Sequence, residues 1–274
     1  MNRSGPRLEV AGAGLLLLRQ AGVPVLFARV DRDLWGVDYV RTGRYRSVLP
    51  PIRAARAAAI GDSGSARWVH HFRRALTEPG YEPARTGRWR IGADVQPLRP
   101  GWSRSLLTDS PGWIDWFTHG GSGQVLPLRE LSGPGDGRVK AYRKQARDGI
   151  LPPVLLWWVS GLDCHLLLDG HDRLVAALAE DRAPAVLTVS AVDPARIARD
   201  TAAVADRYRH NDEALRARSV PEPVLVELGR QFARDLSAAE GAFGRTVAWP
   251  LPGGTAAWTR AAEECAPGWL ASLG

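Results

Sequence analysis

Leu166-Leu167-Leu168-Asp169-Gly170-His171-Asp172-Arg173 joins an apolar run to a helix-patterned segment through a single Asp-Gly pair. The leucines predict a strand that ends at Leu168. Leu174, Ala177 and Leu178 recur at helical spacing with Val175 and Ala179 beside them, which predicts a helix from Asp172 or Arg173 to Glu180. A strand that turns through glycine into a helix presents backbone N–H groups with no partner inside the helix. That end of a helix attracts anions, phosphate above all. Here two carboxylates, an imidazole and a guanidinium share the same turn, so binding polarity and proton-transfer groups occupy one small volume.

The neighbouring sequence builds a unit around this turn. Val125 to Leu131 reads as a short strand plus turn, Ser132 to Gly137 as a loop, and Arg138 to Arg147 as a basic helix closed by Asp148-Gly149. Pro152-Pro153 opens the strand Val154 to Val159, and Gly161-Leu162-Asp163 turns it back into Cys164 to Leu168. Pro184 leads to a last strand, Val186 to Ser190. The order strand, helix, strand, strand, helix, strand is that of a compact α/β unit. Trp157 and Trp158 alternate on their strand, which predicts one in the core and the other over a pocket.

Residues 1–50 read as short strands, with Val23 to Val30 apolar and Trp35 to Val40 alternating. Ile52 to Ile60 and Ser65 to Leu76 read as helices, the second with Trp68, Val69, Phe72 and Leu76 on one face. The stretch 77–124 is rich in Gly, Pro, Trp and Arg, and its Thr118 to Gly123 is taken as the first domain boundary. After Pro194 the chain turns helical over Ala195 to Arg209 and Val224 to Leu236, and Thr255 is the expected cap of a final helix through Cys265. The fold class is therefore α+β: an N-terminal α+β region (1–122), a central α/β module (123–192) and a mostly helical C-terminal region (193–274).

Composition limits the function classes. A chain of 274 residues, 45% hydrophobic, can bury a real core. No run of 18 apolar residues exists, so no transmembrane helix and no membrane partner are expected. The Leu-rich run after Arg7 stops at Arg19 without a clean cleavage site, which reads as a first buried segment of a cytoplasmic protein. Cys164 and Cys265 lie far apart and give neither a disulfide framework nor metal-ligand spacing. The formal charge is +7, carried almost wholly by arginine and spread along the chain. That balance favours anionic ligands without marking a nucleic-acid stripe.

Leu126-Pro127-Leu128, Arg138-Val139-Lys140, Leu151-Pro152-Pro153 and Asp169-Gly170-His171-Asp172-Arg173, in that order, resemble the N-terminal domain of the ParB/sulfiredoxin superfamily. Sulfiredoxins place a cysteine directly after the turn glycine, where this chain has His171, so cysteine chemistry is not expected. ParB proteins carry Gly-Glu-Arg-Arg at the turn and bind CTP and DNA; Arg173 matches the last arginine, but His171 and Asp172 replace the glutamate and the first arginine. The free-serine-kinase branch, whose turn reads Asp-Gly-His-x-Arg, is the most similar. That resemblance implies a nucleoside triphosphate (ATP, ADP or CTP) with Mg²⁺, and a small hydroxyl substrate. It places Asp169 at the phosphoryl-transfer site, and Gly170, His171 and Arg173 against the nucleotide phosphates; Asp172 on the same turn is a further nucleotide-binding candidate, Asp169 the candidate metal ligand, and His171 a catalytic candidate beside Asp169. The branch also uses a glutamate in the loop after its first strand, for which Glu130 and Asp136 are the candidates here.

The chemistry suits these residue types. Phosphoryl transfer needs in-line positioning, neutralised phosphate oxygens and a base at the acceptor hydroxyl. Arg173 offers a planar fork for phosphate, His171 a hydrogen bond, and Asp169 either a Mg²⁺ ligand or a proton acceptor. The structural alternative is plain: Asp169 as a helix cap, Gly170 as a turn residue, and Arg173 as a partner of Asp169 or Glu180. Two further functional alternatives stand beside the enzyme: a ParB-like, DNA-associated nucleotide switch, and a catalytically silent, partner-binding protein.

Overall fold

The fold is given by a computed structural model that describes residues 5–12, 14–61, 66–77, 87–93, 105–117 and 124–273. The boundary expected at Thr118 to Gly123 lies outside the described residues. The chain is a mixed α+β protein that divides into two compact units, one of residues 1–191 with 246–274 and one of residues 192–245.

The first unit holds two mixed sheets. Six strands make the first, in the order β11-β1-β2-β3-β4-β6. Strands β1 (Pro6–Val10), β2 (Leu15–Gln20), β3 (Val23–Asp31) and β4 (Gly36–Arg41) form an antiparallel meander, and β6 (Gly112–Asp115) pairs with β4. The short β11 (Trp249–Pro250) runs parallel to β1. Successive side chains of a strand point to opposite faces, and β2 shows the consequence. Leu16 and Leu18 enter a core shared with the second sheet, while Leu17 joins Phe27, Val40 and Trp258 in a separate cluster. The Leu-rich run is apolar throughout because both of its faces are covered. Helix α8 (Gly254–Cys265) covers the second face, with Trp258 Nε1 donating to Leu16 O at 2.9 Å and its ring edge-on to Phe27.

The second sheet has the order β5-β10-β8-β9-β7. Its strands are β5 (Arg88–Gly92), β7 (Val125–Pro127), β8 (Val154–Val159), β9 (Cys164–Asp169) and β10 (Val186–Val192). Strand β8 is antiparallel to β9 and parallel to β10, and β7 is parallel to β9. Leu155, Trp157, Leu166 and Leu168 face the shared core. Val154, Leu156 and Leu167 pack against Leu174 of helix α5 (His171–Ala179) on the other side. Helix α4 (Gly137–Arg147) follows β7 and packs through Val139 and Tyr142 against Ala176 of α5. The expected order of strand, helix, strand, strand, helix, strand is the order observed. Helices α1 (Ala54–Ile60) and α2 (Ala66–Leu76) add Ala57, Ile60, Trp68, Phe72 and Leu76 to the shared core.

Three local expectations are corrected. Strand β9 extends to Asp169 and α5 begins at His171, because Gly170 adopts a left-handed conformation (φ 97°) and makes the whole turn in one residue. Trp157 and Trp158 are both buried, at 1% and 6% exposure, since both faces of β8 are covered; Trp158 lies 5.0 Å from the His165 ring. Thr255 does not cap α8: Gly253 precedes the helix with no side-chain cap, and the Thr255 hydroxyl donates to Ala11 O, tying α8 to the first hairpin.

The second unit is a helical hairpin of α6 (Pro194–Ala217) and α7 (Glu222–Gly241), with Tyr208 and Phe232 stacked at 4.4 Å. Both helices outrun their apolar periodicity. The ion pair Arg216–Asp212 supports the last turns of α6, which apolar residues do not mark, and Arg196–Asp200 and Arg230–Glu227 add same-helix pairs further in. No helix among the described residues is long and apolar enough to cross a membrane.

Trp258 fills the space between α8 and the first sheet at 2% exposure. Trp258→Ala is expected to cost about 3–5 kcal/mol of unfolding free energy, measured by urea denaturation. A loss under about 1 kcal/mol would mean that α8 is not a structural part of this sheet.

Candidate functional site

The turn after β9 is built over a buried ion pair. Arg173, 2% exposed, reaches back under Gly170, and its Nη2 donates to Asp169 Oδ2 at 2.8 Å and to Pro153 O at 3.1 Å. A Cβ on Gly170 would lie 2.8 Å from that same Nη2, so only glycine fits above the guanidinium. Of the two sequence readings of Arg173, the geometry realises the pair with Asp169; Glu180 is instead held by Arg143 and Arg147. Asp169 is likewise not a helix cap. Among the described residues no side chain caps the amino end of α5.

His171 opens α5 and lines the cleft in front of this turn. It is 1% exposed, and neither ring nitrogen has a hydrogen-bond partner among the described residues. Burial, reinforced by the charges of Arg129, Arg173 and Arg41 and only partly opposed by Asp172, holds its imidazole well below its ordinary 6.5 and therefore neutral. Asp172 is nearly buried and receives Arg129 Nη2 at 2.7 Å, Ser132 Oγ at 3.0 Å and Arg138 Nη1 at 3.4 Å. Burial pushes its carboxyl up, but the bond and charge of Arg129, the Ser132 hydroxyl and the charge of Arg138 outweigh that and hold it below the usual range.

The other two carboxylates separate. Asp136 caps α4 by accepting from the Arg138 and Val139 N–H groups, and it lines the cleft. Glu130 is exposed and is not among the residues that line it.

The cleft itself is about 1060 Å³. One wall comes from the Ser132 to Arg138 loop and the start of α5. The rest of the lining comes from Gln20 at the end of β2 and from the segment after β4, with Tyr45, Arg46 and Ser47 among its residues. Tyr45 joins the walls, since its hydroxyl donates to Leu168 O at 2.7 Å and its ring lies 5.9 Å from that of His171. Sequence reasoning did not single out Gln20, Tyr45, Arg46, Arg129 or Ser132. No local pattern marks the first three, which sit over a hundred residues from the turn they face. Arg129, directly after the Leu-Pro-Leu strand, was the one with a usable signal.

A protein-held Mg²⁺ does not fit these residues. Asp169 and Asp172 are both matched by arginines, and as ligands they would have to give up those pairs. Among the described residues no group of three His, Cys, Asp or Glu side chains is placed to hold a metal ion. No family model matches the chain, no curated protein resembles it at a significant level, and no solved structure does.

Two outcomes follow from this geometry. Asp169→Ala leaves Arg173 charged and buried without its counter-ion, and is expected to destabilise the chain by about 3–5 kcal/mol in urea denaturation; a loss below about 1 kcal/mol would match an exposed pair instead. The second concerns pH. Below 6.5 the unfolded chain protonates His171 while the folded chain does not. Stability is therefore lost as pH falls through that value. Relative to His171→Gln, the wild type is expected to lose about 1.4 kcal/mol per pH unit as the pH falls from about 6.5 towards 5. Parallel pH profiles for the two proteins would rule out a buried neutral imidazole.

Proposed function

We propose that the cleft binds a phosphate-bearing nucleotide and that the chain is a nucleotide-dependent phosphoryl-transfer or hydrolysis enzyme built on a ParB/sulfiredoxin-like module. One observation carries the reading: an uncapped helix end and an unpartnered neutral imidazole lie side by side in a cleft lined by arginines. Helix ends and guanidinium groups bind phosphate oxygens without needing a metal, and a neutral imidazole can donate one further hydrogen bond. The volume suits a ligand of nucleotide size. The resemblance of the Asp169–Arg173 turn to the free-serine-kinase branch points the same way.

In this reading the α5 N–H groups, His171 and Arg138 hold the terminal phosphates. Asp169 and Arg173 do not touch the ligand; they fix the turn that presents the N–H groups. The acceptor oxygen forms a bond to the terminal phosphorus while the bond from phosphorus to the bridging oxygen breaks, and the nucleoside diphosphate leaves with that electron pair. The acceptor proton passes to Asp136, the one cleft-lining carboxylate with no arginine side chain bonded to it among the described residues. A second reading, a nucleotide-binding module without turnover, is favoured by the pairing of Asp169 and Asp172 with arginines.

Isothermal calorimetry and a product assay with nucleotides, in the presence and absence of Mg²⁺, separate these readings. Arg138→Ala is expected to weaken binding roughly tenfold or more, the worth of a charge-assisted hydrogen bond. Asp136→Asn keeps the α4 cap, because asparagine caps as well as aspartate, and is expected to abolish turnover while leaving affinity within about twofold. Binding with no turnover in the wild type selects the silent module. No binding of any nucleotide overturns the proposal.

A further inference from the structure

We infer that the segment after β4 supplies a second anion subsite centred on Arg46, so that the ligand of this cleft carries a chain of linked phosphates rather than one. The inference rests on the cleft being a phosphate site, and it assigns a role to the N-terminal region.

Arg46 is held by a device a plain connector does not need. The Gln20 side chain, 8% exposed, accepts from Arg46 N–H at 2.9 Å and donates to Arg46 O at 2.8 Å, clamping both backbone groups of that residue. Next to it, Tyr45 is 1% exposed and bonded to Leu168 O, one residue before Asp169. Further on, Tyr142 of α4 donates to Ile52 O at 3.5 Å. The segment that carries Arg44 and Arg46 is thus fastened to the same strand end and helix that form the opposite wall.

Charge gives the second argument. Five arginines and three aspartates line the cleft. The aspartates belong to the α5 side, where Asp169 meets Arg173 and Asp172 meets Arg129 and Arg138. Neither Arg44 nor Arg46 has a carboxylate partner among the described residues; Arg44 Nη1 has Cys265 Sγ at 3.6 Å. Two cations without a carboxylate partner, on a braced segment that lines the same cleft as a helix end, suit a ligand with more than one anionic group. A nucleoside polyphosphate or inorganic polyphosphate has them. A single phosphate can occupy only one wall.

Inorganic orthophosphate and tripolyphosphate are the probes, titrated by calorimetry into the full chain at one fixed salt concentration. Tripolyphosphate is expected to bind more tightly than orthophosphate. Arg46→Ala should weaken tripolyphosphate by about tenfold or more and orthophosphate by less than about twofold. Arg138→Ala should weaken both. Gln20→Ala should lower the ratio of the two affinities, a quantity that a general loss of stability would not move. If Arg46→Ala changes neither affinity, or lowers both equally, the second subsite is overturned while the phosphate site stands. If neither probe binds the wild type, this inference and the proposed function both fail.

Discussion

The buried pair of Asp169 and Arg173 is the constraint on which the cleft of this molecule depends. A guanidinium at 2% exposure is tolerable only with a counter-charge and hydrogen bonds. Asp169 and Pro153 O provide them, and in doing so they tie the end of β9, the first turn of α5 and the chain entering β8 to one another. Glycine is required at position 170 because the same guanidinium occupies the space of a Cβ. The uncapped end of α5 is then fixed at the cleft by a pair that is itself almost wholly buried in the cleft's floor.

This division of labour changes how the charged residues of the turn are understood. In sequence, Asp169, Asp172 and Arg173 look like an array of ligand-binding groups. In the folded chain they chiefly satisfy one another, Arg129 and Arg138, and the groups left to a ligand in the proposed reading are backbone N–H groups, the His171 ring and arginines from outside the turn. Such a site is preorganised: its donors stay in place because their supports are buried. Replacing a support disturbs stability as much as binding. In the proposed reading the exposed groups Arg46, Asp136 and Arg138 are therefore the ones through which binding and chemistry can be separated from folding.

The first sheet has two duties that come from the alternation of a strand. One face of β2 and β3 builds the core shared with the second sheet; the other is sealed by α8 through Trp258. Beyond its end, β2 contributes Gln20, and the segment after β4 contributes Tyr45 and Arg46, so the scaffold's edge becomes the second wall of the cleft. The hairpin of α6 and α7 is organised differently. Its helices bury little beyond Val204 and carry many same-helix ion pairs, the pattern of solvent-facing helices.

The sequence by itself determined the local order of the central module. Proline and glycine punctuation and the apolar runs located β8, β9 and β10 and the helix after Gly170, because each signal acts over a few residues and needs no distant partner. It also singled out the turn, since acid, glycine, imidazole and guanidinium are adjacent in the chain. Tertiary structure decided what those groups do. Whether Arg173 meets a ligand or Asp169, whether both Trp157 and Trp158 are buried, and which residues face His171 all depend on contacts between segments far apart in sequence. Tyr45 reaches Leu168 across 123 positions and Gln20 holds Arg46 across 26. Contacts of that range leave no periodicity to read. They arise only when two sheets share one core and bring their edges together.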